Sequence, residues 1–378
     1  MRVERAPIFV HTWRVETNGC LVPVDADRRR LAAALAQRFG ALDELHLSVW
    51  PLRGGLVSPS VRRVRARYSK PCGRKGTLSM VVKALEGTER READVYHYLR
   101  TVAGPPFWPE TWVARHEEEP SLLCLEAIRP VRRWPWQRLE LAARVLTDVA
   151  ALHVRPLSAS VRGLVEWDYE RHLEASAAET LHAASRVLRQ PPAAHLRSSL
   201  AALRRIVAEL RDIRQTLLGL LSLPVTLIHG DLHTGNVMIR RRGGREEPVL
   251  IDWARARIGS PLEDVASWVL SLGSWLPEAR RRHDALLAGY LADRGLGRRI
   301  TGEVRTAYWY AAVSNALAGA LLYHLRVIDD VKGRKPAERM TSLRAAADWL
   351  RVVRRADARR GMRPGSAEVP AVVEHHQA

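Results

Sequence analysis

Residues 226–239 read TLIHGDLHTGNVMI and residues 248–266 read PVLIDWARARIGSPLEDVA, with RRRGGREE between them. TLI closes a short apolar run and predicts a strand end. HGDLHTGN is polar and glycine-containing, as a loop is, and VMIRRRGGREEPVLID predicts two strands joined at a Gly-Gly turn. On that reading Asp231 and Asp252 project from neighbouring strand ends, with His229 and Asn236 flanking the first of them. Phosphoryl transfer asks little covalent chemistry of a protein. It needs a carboxylate to orient the attacking hydroxyl and hard oxygen ligands to hold Mg2+ on the phosphates. Asp231 suits the first task, and the Asn236 amide with the Asp252 carboxylate suits the second. Taken singly, each is an ordinary loop residue: a turn cap, a left-handed position beside Gly235, a strand end. Taken together they form H-x-D-x-x-x-x-N followed by a strand-borne Asp, in a chain whose only asparagines are Asn18, Asn236 and Asn315. The expected chemistry is Mg2+-dependent transfer from a nucleoside triphosphate.

HGDLHTGN and LIDWARARIGSPLEDVA together resemble the aminoglycoside phosphotransferase family, which shares the protein-kinase-like fold with choline kinases, homoserine kinase-like enzymes and macrolide phosphotransferases. The resemblance implies an α+β bilobal fold, with a small antiparallel β-rich N-lobe and a larger, mainly helical C-lobe. It implies ATP or GTP and Mg2+ as cofactors, and a small-molecule hydroxyl as acceptor. His229, Asp231 and Asn236 match the family's H-x-D-x-x-x-x-N loop, Asp252 its metal-binding Asp, and Asp264 a later Asp that braces the catalytic loop. His229 and His233 are expected to support that loop and not to act as bases. The chain has HGD where protein kinases have HRD, and DWA where they have DFG. A protein substrate and an activation-loop switch are therefore not implied.

Upstream, the lysines decide the reading. Of 60 Lys and Arg residues only five are lysine, and Lys83 alone sits in an apolar β-branched run, LSMVVKAL. A strand-borne ammonium that reaches the α- and β-phosphates explains it; an edge-strand lysine is the other account. READVYHYLR has helical spacing and resembles the family's glutamate helix, so Glu92 is the expected partner of Lys83, with Glu89 in reserve. Two strands around Arg53, Gly54 and Gly55 suggest a hairpin that covers a triphosphate, with Ser58 on its far side; a plain turn explains the segment equally well. SLLCLEAI would end at the hinge between lobes, where backbone groups of Glu126, Ala127 and Ile128 meet the adenine edge.

The 378 residues, 47% hydrophobic, suffice for two moderate cores. The expected organisation is an extension over 1–45, a nucleotide-binding lobe over 46–128, a helical lobe over 129–356 and a tail over 357–378. In the helical lobe, QRLELAARVLTDVAALHVRPL predicts a helix on which His153 packs, and a helical insertion follows Trp167. Glu166, Asp168, Tyr169, Glu170 and Glu263 are candidate acceptor contacts. No apolar stretch of about 18 residues stands out, and no secretory h-region, so no membrane association is expected. Three widely spaced cysteines, Cys20, Cys72 and Cys124, suit a reducing cytoplasm. The net charge of +19 would attract polyanions. Its arginines are scattered over Ala- and Leu-rich helices with no nucleic-acid motif, so nucleic acid is not the expected partner. A non-catalytic nucleotide-binding scaffold and a basic nucleic-acid-binding protein are the rival readings.

Overall fold

The computed structural model describes residues 12–16, 25–52, 61–85, 90–101, 107–114, 121–129, 138–157 and 168–360. Gly54, Gly55, Ser58, Glu89 and Glu166 lie outside them. The chain divides into two compact units, residues 1–132 with 236–255, and residues 133–235 with 256–378. The segment between the two quoted motifs thus belongs with the N-terminal part of the chain.

The first unit is built on a six-stranded sheet of order β1-β2-β3-β4-β6-β5, formed by β1 (Thr12–Glu16), β2 (Glu44–Pro51), β3 (Val61–Ser69), β4 (Lys75–Leu85), β5 (Thr111–Ala114) and β6 (Ser121–Glu126). All pairs are antiparallel except β1 with β2, which is parallel. The sheet is thus antiparallel over residues 44–126, and the parallel strand is the one from the N-terminal extension. The intervening helix α1 (Asp25–Phe39) is long enough to carry the chain back for a parallel pairing. Gly40, at φ +83°, ends that helix in the left-handed conformation. Strand alternation then decides what each face does. Leu45, Leu47, Val64, Ala66, Met80 and Val82 share one buried face with Leu31, Ala32 and Leu35 of α1. Arg63, Arg65 and Arg67 stand exposed on the other face of β3. Lys83 shares that second face, since Val61 lies opposite Lys83 and Arg63 opposite Val81.

Helix α2 (Arg91–Thr101) and the hairpin β8 (Val237–Arg242) and β9 (Arg245–Leu250) complete this unit. Gly243 and Gly244 both adopt positive φ, +56° and +78°, as a two-residue primed turn requires. The hairpin is tied to β6 and to the approach to β5. The Leu250 N–H donates to the Phe107 carbonyl at 2.7 Å, and Arg240 donates to Glu126 Oε2 at 2.6 Å and to the Trp108 carbonyl at 3.0 Å.

The second unit is helical: α3 (Leu139–His153), α4 (Tyr169–Val187), α5 (Ser199–Ala208), α6 (Leu210–Leu218), α7 (Pro261–Trp275), α8 (Pro277–Arg281), α9 (His283–Asp293), α10 (Gly302–Asn315), α11 (Leu321–Asp329) and α12 (Pro336–Asp357). A small antiparallel pair, β7 (Thr226–Ile228) with β10 (Arg257–Gly259), lies among them. Apolar positions three and four apart give α3 a face of Leu141, Val145, Leu146, Val149 and Leu152, all buried. Helix α7 opens on a capping box of Ser260 and Glu263. Helices α10 and α11 run on through a π-turn at Ala316–Ala320, making one run, Gly302–Asp329, with a window of mean hydropathy 1.3. Length and composition would let it cross a membrane, which departs from the expectation above. Yet 67% of that window is buried inside the protein.

Candidate functional site

In the first unit, β4 and α2 converge on a charged cluster. Lys83 Nζ lies 2.7 Å from Glu92 Oε2 and 3.4 Å from Asp252 Oδ1. Glu92 is thus paired with Lys83, and α2 presents it from its first turn, pointing into the unit at 1% exposure; Glu89 lies outside the described residues. Burial, joined by the charge of Asp252, pushes the Glu92 carboxyl up to about 7 against the pull of Lys83. Arg91, on the same turn, donates to the Ala254 carbonyl at 3.0 Å and ties α2 to the segment after Asp252.

Asp252 is the one described non-glycine residue with positive φ, at +63°. Aspartate tolerates that region better than most residues, and backbone held there concentrates at functional sites. The Ile251 N–H donates to the Asn236 carbonyl at 2.9 Å, one step beyond the Val237–Leu250 pair of the hairpin register. Asn236 and Asp252 are therefore neighbours at the open end of β8 and β9. Their amide and carboxylate oxygens suit Mg2+, which takes one or two protein ligands and completes its shell with phosphate and water. Among the described residues no group of three or more His, Cys, Asp or Glu forms a metal cluster.

At the end of β6, two of the three expected hinge groups are already engaged. The Glu126 N–H donates to the Glu110 carbonyl at 2.8 Å, the Ala127 N–H to the Ser79 carbonyl at 3.3 Å, and the Glu126 carboxylate is held by Arg240. Ile128 is the hinge position whose N–H is uncommitted among the described residues.

In the second unit, β7 delivers the H-x-D loop and Asp264 holds it. Asp264 accepts the His229 N–H at 2.7 Å and the Gly230 N–H at 2.9 Å. His153 Nε2 lies 3.3 Å from the same carboxylate, and its Nδ1 2.9 Å from the Tyr290 hydroxyl. Burial alone would raise the Asp264 carboxyl. The hydrogen bonds from His153 and from the Gly230 N–H outweigh it and hold the carboxyl below its ordinary value. Burial also lowers His153, against the pull of Asp264, so this imidazole is neutral at pH 7 and donates to the carboxylate. His229, fully buried, accepts the Asp231 N–H on Nδ1 at 3.3 Å. His233 Nδ1 accepts the Gly235 N–H at 3.0 Å, and its Nε2 lies 4.0 Å from Asp231 Oδ2. Both histidines thus shape the loop, while the Asp231 side chain stays about one-third exposed.

The four described acceptor candidates each have a partner within the protein. Glu263, at 1% exposure, binds Arg214 at 2.9 Å and Arg257 at 3.0 Å and accepts the Ser260 N–H. Asp168 caps α4 by accepting the Arg171 N–H at 3.0 Å, Tyr169 is buried beneath Arg257, and Glu170 is paired with Arg214. Arg257 and Arg214 went unnoticed in the sequence because they look like two more members of a large arginine surplus. The S-P-L-E capping signature was the available sign that Glu263 turns inward.

An α+β chain with a lysine–glutamate–aspartate cluster on its sheet unit and an H-x-D loop held in its helical unit has the protein-kinase-like fold of small-molecule kinases. The phosphotransferase enzyme family, APH, matches residues 83–302, more than half of the sequence, and the chain belongs to it: it is a phosphotransferase. Among solved structures, a choline kinase from Cryptosporidium parvum Iowa II superposes with TM-score 0.53 at 12% identity, covering 82% of this chain and 89% of that one. A choline kinase from Streptococcus pneumoniae gives 0.50 at 13% identity, with 86% and 99% covered. A spectinomycin phosphotransferase in complex with ADP and spectinomycin gives 0.50 at 12%, with 82% and 93% covered. At such identities the likeness is one of fold. No curated protein matches the sequence.

Proposed function

We propose that this phosphotransferase moves the γ-phosphoryl of ATP, or of GTP, to a hydroxyl of a small molecule. The observation that carries the reading is Lys83 bridging Glu92 and Asp252, a strand-borne cation between two carboxylates, which is an arrangement suited to a nucleotide's phosphates. Lys83, aligned by Glu92, takes the α- and β-phosphates. Asn236 and Asp252 hold Mg2+, which when bound offsets the phosphates' negative charge. The Ile128 backbone meets the base. Asp231 orients the acceptor hydroxyl and takes its proton in an in-line displacement, while His229 and Asp264 keep the loop in shape. Relatives of the fold named for choline, ethanolamine and spectinomycin suggest an amino alcohol or aminocyclitol as acceptor.

The test is Mg·ATP-dependent transfer to a panel of aminoglycosides, aminocyclitols, amino alcohols, sugars and macrolides, with products read by mass. Asp231→Asn is expected to lower kcat by about 10² to 10⁴ while leaving ATP-induced thermal stabilisation intact. Turnover that survives in Asp231→Asn would remove Asp231 from the mechanism. A wild type neither stabilised by ATP nor active with it would end the kinase reading.

A further inference from the structure

We infer that Arg257 is a positioning residue for Asp231, acting through the Gly230 carbonyl; this rests on the role proposed above for Asp231. Arg257 opens β10 directly opposite Ile228 of β7, and its guanidinium lies fully inside the helical unit at 3% exposure. One nitrogen, Nη1, donates to the Gly230 carbonyl at 3.1 Å, and the other, Nη2, to Glu263 Oε1 at 3.0 Å. The Tyr169 ring lies 3.6 Å beneath the guanidinium carbon. Glu263 is fixed in turn by Arg214 at 2.9 Å and by the Ser260 N–H at 3.2 Å. Gly259 makes room for this: a Cβ there would come within 2.7 Å of Glu263 Oε2.

Burying two guanidinium groups on one carboxylate is a poor way to gain stability, because desolvation consumes most of the attraction and an apolar cluster would serve as well. A fixed fork does something an apolar residue cannot. Gly230 has φ +78°, and as a glycine it restrains its own backbone least, while its following peptide leads into Asp231. Asp264 holds the Gly230 N–H, and Arg257 holds the carbonyl of the same residue. A flip of the Gly230–Asp231 peptide would break the Arg257 bond and turn the Asp231 N–H away from His229. Arg257 therefore sets the direction in which the Asp231 carboxylate leaves the loop. Lysine keeps the charge but has a single nitrogen and cannot span Gly230 and Glu263 as the planar fork does. Arg214 touches Glu263 and Glu170 but is not bonded to Gly230, which makes it the comparator.

The experiment compares wild type, Asp231→Asn, Arg257→Lys and Arg214→Lys, with turnover read as Mg·ATP-dependent ADP formation with the acceptor panel, and folding by thermal melting with and without ATP. Arg257→Lys is expected to lose between about ten- and a hundredfold in kcat, with KM for ATP within about twofold and ATP stabilisation retained. Arg214→Lys is expected to melt earlier with kcat near wild type. If Arg257→Lys does not fold, the neutral pair Arg257→Gln with Glu263→Gln replaces it, with the same kcat loss expected. Wild-type kcat in a folded Arg257 variant, or an equal kcat loss in Arg214→Lys, overturns the inference and leaves the role of Asp231 standing. Turnover retained in Asp231→Asn, or absent in the wild type, overturns that role and the inference with it.

Discussion

Glu92 keeps a carboxyl buried in the sheet unit at a cost to the fold. Its carboxyl stands at about 7, raised first by burial and further by the charge of Asp252, although Lys83 lies 2.7 Å away. A carboxyl whose folded value is raised contributes stability that is complete below the unfolded value near 4.5 and is lost as pH rises through about 7. The ionised form that pairs with Lys83 is thus the less stable one for folding and the one the proposed nucleotide site needs. The expected result is that kcat/KM for ATP climbs with pH through a limb near 7 in the free enzyme. Glu92→Gln should flatten that limb, weaken ATP binding by roughly tenfold, and melt no lower than wild type at pH 8. A limb that persists unchanged in Glu92→Gln assigns the titration to another group. The sequence already pointed to this pair, because a lysine in an apolar strand is conspicuous. The raised value was not legible, since it depends on how deeply α2 seats its first turn.

Among the elements, those with strong local signals were readable from the chain: the apolar strand before His229, the glycine turn of β8 and β9, and the 3.6-residue period of α3. Three features had no signal of that strength. Parallel pairing of β1 with β2 depends on a crossover and not on either strand's composition. The inward turn of Glu263 depends on Arg214, 49 residues away. The break between α10 and α11 lies in ALAGALL, which reads as uninterrupted helix apart from one glycine. Gly319 there adopts φ 140° and ψ −21°, open in practice to glycine alone. No heavy atom lies within 4 Å of the position its Cβ would take, so the effect of a substitution is confined to the backbone. Gly319→Ala is expected to destabilise by about 1–3 kcal/mol, a drop in melting temperature of roughly 2–4 °C per kcal/mol. Because Asn315, one turn earlier, donates to the Glu263 carbonyl at 2.8 Å, the same variant should also lower kcat if the strain spreads along the helix. A melting temperature equal to wild type would mean that the π-turn can relax into regular helix without loss.

For the whole molecule, the surplus of nineteen positive charges says less about function than the small number of groups removed from water. Exposed arginines such as Arg63, Arg65 and Arg67 sit on a solvated face, where charge is inexpensive. The helical unit instead buries histidines in the neutral form. Burial holds His153 and His283 below their ordinary value, each against a neighbouring aspartate, and takes His324 down to about 4. Asp264 is held low as well, by its hydrogen bonds, against the effect of burial. Each of these groups contributes stability that is complete above its unfolded value and is lost as pH falls, so their effects add, and Glu92 alone among the groups discussed runs the other way. Once the unfolded chain takes up its proton near pH 6.5, His324 should cost roughly 1.4 kcal/mol for each further unit of acidification until it titrates in the folded protein. The histidine contribution is therefore expected to weaken steadily from pH 7 to pH 5, opposed over the same range by the gain at Glu92. His324→Gln, which keeps a polar group beside the Ser342 hydroxyl 3.4 Å away, should lose less in melting temperature than wild type over the same range. Melting curves of variant and wild type that run parallel from pH 7 to pH 5 would show that His324 is protonated in the fold as readily as outside it, and would leave His153 and His283 as the source of any acid lability.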